Sequence, residues 1–168
     1  MSKFGSSGFR MVKWVSFIGG LSALGFVAAV YLLPAYQDLQ VQGKVAEVFA
    51  STDACRAEIA NVVNKTTATA LSTTLFGCDG GAAAGVKISK HLKSIAVGNA
   101  GTITVTLDFR SLTELTPVNS TLTLVPLADA TTALGVGDVH KNVVAWRCGS
   151  PQDGTTILSK YLPSNCRG

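Results

Sequence analysis

The stretch that decides the fold is GFVAAVYLLPAYQDLQ, residues Gly25 to Gln40, where an uncharged apolar run meets a proline and then turns polar. The apolar run begins at Trp14 and continues to Leu33, and its 20 residues include no charged side chain. A helix of that length extends over about 30 Å, the thickness of the hydrocarbon core of a bilayer. The sequence therefore predicts a membrane-grade helix directly before Pro34.

A second helical pattern follows the proline. We expect this amphipathic half to extend from Ala35 to Asn64, with Pro34 bending one long helix instead of ending it. The alternative is two separate helices joined by a turn at Pro34. The pattern consists of side chains that recur at steps of three or four residues and so share one helical face, apolar except for its threonine: Val41, Val45, Val48, Thr52, Cys55, Ile59 and Val62.

Charge divides the chain into a basic leader and a nearly neutral remainder. Lys3, Arg10 and Lys13 precede the apolar run, and the first acidic residue is Asp38. By the positive-inside rule, the leader stays in the cytoplasm and the remainder is exported. The exported part holds the other 11 cations and all 10 acidic residues, so its net charge is only +1. Such a balance argues against a protein that binds nucleic acid through its overall charge.

The exported part contains all four cysteines of the chain. In an oxidising compartment an even number of cysteines predicts two disulfides, for which the sequence alone allows three pairings. Four buried thiols are the alternative and would suit a cytosolic protein. A zinc site is disfavoured, because the chain has no C-x-x-C pair and neither His91 nor His140 stands at ligand spacing from a cysteine.

The residues after the helix have a strand-rich pattern. Lys65–Val86 is rich in threonine, alanine and glycine, which is typical of a loop. Ser94–Phe109 offers two strands around an Asn-Ala-Gly turn, and Ser120–Leu127 and Asn142–Cys148 offer two more. The sequence predicts an α+β fold, in which about four antiparallel strands cover the apolar face of one long N-terminal helix.

Three patches of the sequence resemble one family. PAYQDLQVQGKVAEVF (Pro34–Phe49) resembles the segment in which type IVa pilins leave the membrane half of their helix, and SIAVGNAGTITVTL (Ser94–Leu107) resembles their first β-hairpin. AWRCG…KYLPSNCR (Ala145–Arg167) resembles their disulfide-bounded C-terminal loop. The resemblance implies the pilin fold and a homopolymeric extracellular filament, with apolar helices at its core. It also implies an inner-membrane stage, a leader peptidase and an ATPase-driven assembly machine as partners.

The resemblance assigns roles along the N-terminal half. The leader peptidase would cut between Gly8 and Phe9, which separates a leader (residues 1–8), a membrane and filament-core half (9–34) and a globular head (35–168). Gly25, Pro34 and Tyr36 belong to the helix through which subunits would assemble, with the proline setting the angle at which the head stands off.

Lys13 departs from the family. Members carry a glutamate at the fifth position after the cut, thought to pair with the terminal ammonium of a neighbouring subunit, and here that position is a lysine. Residues 1–37 contain no acidic side chain, so no other cut restores the glutamate. Three interpretations follow: assembly dispenses with the pair, another subunit supplies the acid, or the leader stays attached.

The resemblance also selects a disulfide pairing. Cys148 and Cys166 would bound the C-terminal loop, which leaves Cys55 on the helix to join Cys78 and to pin the following loop onto the helix.

The function expected from these patterns is that of a structural pilus subunit, engaged in adhesion, motility or attachment to host or abiotic surfaces. A minor pilin or a DNA-uptake subunit is the alternative. An enzyme is disfavoured, because the chain lacks G-x-S-x-G, H-E-x-x-H and a glycine-rich phosphate loop, and we expect no cofactor or metal. Solvated surface lysines are a better interpretation than phosphate contacts for the candidate anion-binding residues: Lys87, Lys90, Lys93, Lys160 and Arg167.

Overall fold

In the residues that it describes, the computed structural model has two α-helices and one four-stranded sheet. Gln40–Gly168 forms a compact unit, and the residues through Leu39 form another. Helix α1 is Leu33–Ser51 and helix α2 is Asp53–Lys65. The structure describes residues 33–78, 89–108, 110–112, 115–116 and 118–168.

A single residue, Thr52, interrupts the helix that the sequence predicts to be continuous. Its backbone stays in the right-handed helical region, with φ of −80° and ψ of −9°. The Thr52 N–H and hydroxyl both donate to the carbonyl of Phe49, over 3.0 Å and 2.7 Å. A threonine hydroxyl that bonds to the preceding turn competes with the regular helical hydrogen bond four residues back. The helix therefore tightens for one residue, a local event that helical periodicity does not reveal.

The inward face of the two helices is the predicted one, with a change at its end. Val63 is fully buried, whereas Val62 is only half-buried. These valines follow Ile59 by four and three residues, and either spacing fits the helical repeat. Val62 still packs against the core, so its place on the predicted apolar face is confirmed, and Val63 adds a fully buried residue beside it. The other six members of the predicted face are buried: Val41, Val45, Val48, Thr52, Cys55 and Ile59.

The sheet confirms the predicted architecture. Its four strands are antiparallel and lie in the order of the chain. The strands are β1 (Leu92–Val97), β2 (Ile103–Leu107), β3 (Thr121–Leu127) and β4 (Ala145–Cys148).

β4 is three residues shorter than the predicted strand, because β3 turns away before it. Leu127 pairs with Ala145 at the end of β3. Immediately afterwards the chain turns, since the Ala128 N–H donates to the Thr132 carbonyl over 2.9 Å. Residues 142–144 therefore precede the strand instead of belonging to it.

β3 is buried on both faces. Leu122 and Leu124 belong to the same apolar cluster as the helix residues, whereas Thr123 and Val125 point to the opposite face and are also buried. The alternating sequence of β3 predicts a strand with one buried face. The second face is covered in part by the C-terminal loop, where a β carbon at Gly154 would lie 3.7 Å from the Thr123 hydroxyl.

No helix in the part of the chain that the structure describes combines the length and the apolarity needed to span a bilayer.

Candidate functional site

Two disulfides join the cysteines in the predicted pairs. Cys55 of α2 is bonded to Cys78, and their Cα atoms are 5.6 Å apart. Cys148, the last residue of β4, is bonded to Cys166, with a Cα–Cα distance of 4.9 Å. The second bond closes a surface loop, called the C-terminal loop below, that comprises residues 149–165.

The C-terminal loop extends the sheet where β4 ends. The Thr123 N–H donates to the Thr155 hydroxyl over 3.0 Å, and the Thr156 N–H donates to the Thr121 carbonyl over 2.9 Å. Residues 155–157 thus provide hydrogen-bond partners for backbone groups in the first half of β3. β4 does not pair with that half of the strand. The loop is part of the sheet's hydrogen bonding and not an appended coil.

The base of the C-terminal loop is closed by a tight backbone approach. Gly149 has φ of +81°, a conformation that disfavours any residue with a β carbon. A β carbon there would also lie 2.8 Å from the carbonyl carbon of Cys166. Beyond the disulfide, the Gly168 N–H donates to the Cys148 carbonyl over 3.0 Å. Only glycine satisfies both requirements at position 149.

An ion pair holds the first turn of the C-terminal loop. Arg147 of β4 donates from Nε and Nη2 to the two carboxylate oxygens of Asp153, over 2.7 Å and 2.8 Å. These hydrogen bonds hold the pKa of Asp153 below its usual value and raise the pKa of Arg147. Arg147 Nη1 also donates to the Thr131 carbonyl over 3.4 Å, which ties the loop to the β3–β4 connection.

The turn that presents Thr131 is itself fixed by a carboxylate. Asp129 Oδ1 accepts the N–H groups of Thr131 and Thr132, each over 2.8 Å. The hydrogen bonds from these backbone amides, Thr131 first, lower the pKa of Asp129 to about 2. The hydrogen bonds to Asp129 thus fix the turn whose Thr131 carbonyl accepts from Arg147.

Helix α1 supports the other end of the C-terminal loop. Gln42 Nε2 donates to the Lys160 carbonyl over 2.5 Å. Tyr161 and Leu162, which follow, are buried in the core. Both ends of the loop are therefore attached to regular secondary structure.

His91 is a buried residue with a structural partner. Its Nδ1 lies 2.8 Å from the Ser111 hydroxyl, and that hydroxyl in turn donates to the Asp108 carbonyl. With the Ser111 hydroxyl hydrogen directed to Asp108, the arrangement suits a His91 tautomer that donates from Nδ1. Burial is the main cause that lowers the pKa of His91. The residue joins the start of β1 to the loop after β2.

The candidate anion-binding residues fall into two segments. Lys90 and Lys93 are exposed around the start of β1, and Lys160 and Arg167 are exposed in the tail. The Lys160 ammonium lies 4.5 Å from the centroid of the Tyr161 ring, and Arg167 Nε donates to the Leu162 carbonyl over 3.0 Å. The two tail cations thus engage neighbouring groups of the same chain.

Several predicted positions fall outside the described residues: Gly8, Phe9, Lys13, Gly25 and Lys87. Pro34 lies in the first turn of α1, and the Tyr36 side chain is 61% exposed. Among the side chains that the structure describes, no group of three histidines, cysteines or acids is arranged to hold a metal ion.

Sequence reasoning missed the contacts that organise the site. The Arg147–Asp153 pair links a strand to a loop that folds back over the sheet, and residue spacing carries no signal for such a return. Gly149 had a weak signal, since a glycine directly after a disulfide cysteine is compatible with a tight turn.

Comparisons with known proteins agree with this geometry. Residues 41–167 match the family model described as pilin, a bacterial filament protein. A crystal structure of a type IV pilin from Pseudomonas aeruginosa superposes with a TM-score of 0.57 at 20% sequence identity. That match covers 76% of this chain and 97% of the Pseudomonas chain. The comparison with curated proteins found no match.

Proposed function

Because the chain belongs to the pilin family of bacterial filament proteins, we propose that it is the main structural subunit of an extracellular type IV pilus. The observation that carries the proposal is the uncharged run Trp14–Leu33, which directly precedes the helix of the head. In the membrane this run would match the bilayer core, and in a homopolymer it would pack against copies of itself. The proposed roles are attachment and surface motility, with no enzymatic activity.

A strain that lacks this chain tests the proposal. Electron microscopy should find no thin filaments on its surface, and expression of the chain in trans should restore them. Filaments of unchanged number and width in the deletion strain would argue against a main subunit.

The proposed division of the chain is a leader (1–8), a membrane and filament-core half (9–34) and the head (35–168). Between export and assembly the subunit would reside in the inner membrane, with a leader peptidase acting at Gly8–Phe9. Glutamine and aspartate side chains begin at Gln37, directly after the apolar part. This change in composition supports a boundary close to Pro34.

A variant that begins at Gln37 is expected to be soluble and monomeric, because the residues removed contain the entire uncharged run. Sedimentation of membranes followed by size-exclusion chromatography of the supernatant measures both properties. The full-length chain is the control and should remain with the membranes. Aggregation of the shortened variant, or its retention in membranes, would place the boundary elsewhere.

Lys13 would place an unpaired positive charge near the apolar core of such a filament. If Phe9 becomes the N-terminus, its ammonium and that of Lys13 both lie near the apolar bundle, and residues 1–37 contain no acid to pair with them. A buried unpaired charge costs several kcal/mol. We therefore propose that Lys13 lies at an aqueous boundary, either because the leader is retained or because the core is hydrated there. Lys3 and Arg10, on the same side of the apolar run, support this placement.

Replacing Lys13 with glutamate tests the placement. If Lys13 lies in water, Lys13→Glu leaves the yield of sheared filaments unchanged or lowers it, because no buried charge is relieved. Quantitative immunoblotting of shear fractions measures that yield, with Lys13→Gln as the control for loss of charge alone. A clear increase with Lys13→Glu, but not with Lys13→Gln, would instead indicate a buried ion pair.

A minor pilin, or a subunit that binds DNA during uptake, is the second candidate. The exposure of Lys90 and Lys93 makes both available to phosphates, which bears on the DNA-binding role. For each phosphate that the Lys90→Gln, Lys93→Gln double variant no longer neutralises, the salt dependence of duplex DNA binding should fall by about 0.9 in the log–log slope. Lys65→Gln, at the exposed end of α2, is the matched control. Equal weak binding by all three proteins would reject DNA binding through Lys90 and Lys93.

A further inference from the structure

The first turn of the C-terminal loop contains an Asp-Gly sequence, Asp153–Gly154, whose chemistry differs from that of other peptide bonds. The backbone nitrogen of the glycine can attack Cγ of the aspartic acid side chain. A nitrogen–carbon bond forms, the carboxyl hydroxyl leaves with the amide proton as water, and a cyclic succinimide results. Water then reopens the ring at either carbonyl, and one of the two products is isoaspartate, in which the main chain runs through the former side chain. No oxidant or other reactant is consumed.

The backbone conformation at position 154 favours glycine. Its φ is +92°, in the left-handed region where residues with a β carbon are strained. Glycine is also the residue that hinders ring closure least, because no side chain shields its nitrogen. The turn therefore places a reactive sequence at a position that residues with a β carbon occupy only with backbone strain.

Two contacts oppose the ring closure. The fork of Arg147 binds both carboxylate oxygens of Asp153, and the Gly154 N–H donates to the Pro151 carbonyl over 3.1 Å. The Asp153 side chain is only 13% exposed, so its carboxylate is largely shielded from water. Arg147 also holds the pKa of Asp153 low, which reduces the neutral carboxyl form that loses water in the reaction.

We propose that Asp153–Gly154 is a latent self-modification site and that Arg147 protects it from succinimide formation. Arg147 is a positioning residue in this scheme, since it binds both carboxylate oxygens of Asp153 and keeps the carboxylate ionised. The reaction would occur when the pair opens.

The residues that follow the site give the modification a structural consequence. Isoaspartate at position 153 adds one carbon atom to the main chain, with only Gly154 between it and residues 155–157. Thr155 and Thr156 hydrogen-bond to Thr123 and Thr121 in a fixed register, and Gly154 lies against the Thr123 side chain. An additional backbone atom would displace these partners and loosen the C-terminal loop from β3.

Arg147→Gln in the full-length protein tests the proposal. After incubation at mildly acidic pH, isoaspartate at position 153 should accumulate roughly tenfold faster than in the wild type or more, which corresponds to about 1.4 kcal/mol of lost restraint. Peptide mapping with electron-transfer fragmentation locates the modification, and enzymatic methylation of isoaspartate quantifies it. Arg147→Lys, which keeps the charge but removes the fork, should give an intermediate rate.

The matched control is Lys141→Gln. It breaks another carboxylate–cation pair, with Asp138, but Asp138 is followed by valine, so no isoaspartate should form there. The reduced, denatured wild type gives the rate without restraint, and Asp79–Gly80 in the same denatured chain serves as an internal standard. The comparison of folded with denatured wild type tests the proposal even if Arg147→Gln does not fold.

Two results would overturn the proposal. One is folded wild type that isomerises at Asp153 as fast as the denatured chain. The other is an Arg147 variant that folds and reacts no faster than the wild type.

Discussion

Replacing Gly149 with alanine should destabilise the head by about 2–4 kcal/mol, since a β carbon in the left-handed region costs roughly 1 kcal/mol and overpacking adds about 1–3 kcal/mol. The backbone at Gly149 has φ of +81°, and a β carbon there would lie 2.8 Å from both the carbonyl carbon of Cys166 and Leu162 Cδ1. Cys166 cannot retreat, because the disulfide fixes it to Cys148, the residue before the glycine. Chemical denaturation of the full-length protein measures the decrease in stability.

Gly137→Ala is the control for this substitution. Gly137 is exposed, its β carbon would meet nothing within 4 Å, and its φ is not in the left-handed region. We expect the stability of this variant to lie within about 0.5 kcal/mol of the wild type. If the Gly149 and Gly137 variants unfold at the same denaturant concentration, the inference that position 149 cannot accommodate a β carbon is contradicted.

The second large effect is expected from Cys166→Ser. Removal of the bond to Cys148 should lower the free energy of unfolding by about 2–5 kcal/mol, chiefly because the unfolded chain is no longer constrained. The C-terminal loop would also be without the anchor that holds its return to β4, and the yield of surface filaments should fall. Thermal unfolding under oxidising conditions measures the change.

Partial reduction of the wild type provides a comparison for Cys166→Ser. If the bond itself stabilises the head, selective reduction of Cys148–Cys166 should reproduce the destabilisation seen in the variant. A Cys166→Ser protein as stable as the oxidised wild type would contradict the role of this disulfide.

The parts of the fold that sequence predicted are those decided by neighbouring residues. The β1–β2 hairpin follows from two β runs around Asn99–Gly101, and the buried helical face follows from the spacing of the apolar side chains. The disulfide pairing came from family resemblance and from the position of Cys55 on that face.

The parts that sequence missed depend on contacts between distant segments or on single hydrogen bonds. The Thr52 interruption depends on a hydroxyl that bonds to Phe49, and the length of β4 depends on where β3 turns away. Burial of the second face of β3 and the Arg147–Asp153 pair both depend on the path of the C-terminal loop. The spacing of apolar residues indicates which side chains share a face of a helix or strand. It does not indicate which other segment covers that face.

The candidate anion-binding residues illustrate the same limit. Lys90 and Lys93 lie close in sequence, but Lys160 and Arg167 belong to the tail, where each interacts with its own segment. The number of basic residues along the chain does not distinguish a binding surface from solvated lysines.

The most direct measurement is quantitative mass spectrometry of filaments sheared from the cell surface and sedimented. A main structural subunit should be the most abundant polypeptide in that fraction, and its N-terminal peptide would also establish whether the chain begins at Phe9. If the chain is present only in traces beside another, predominant pilin, it is not the subunit that builds the filament.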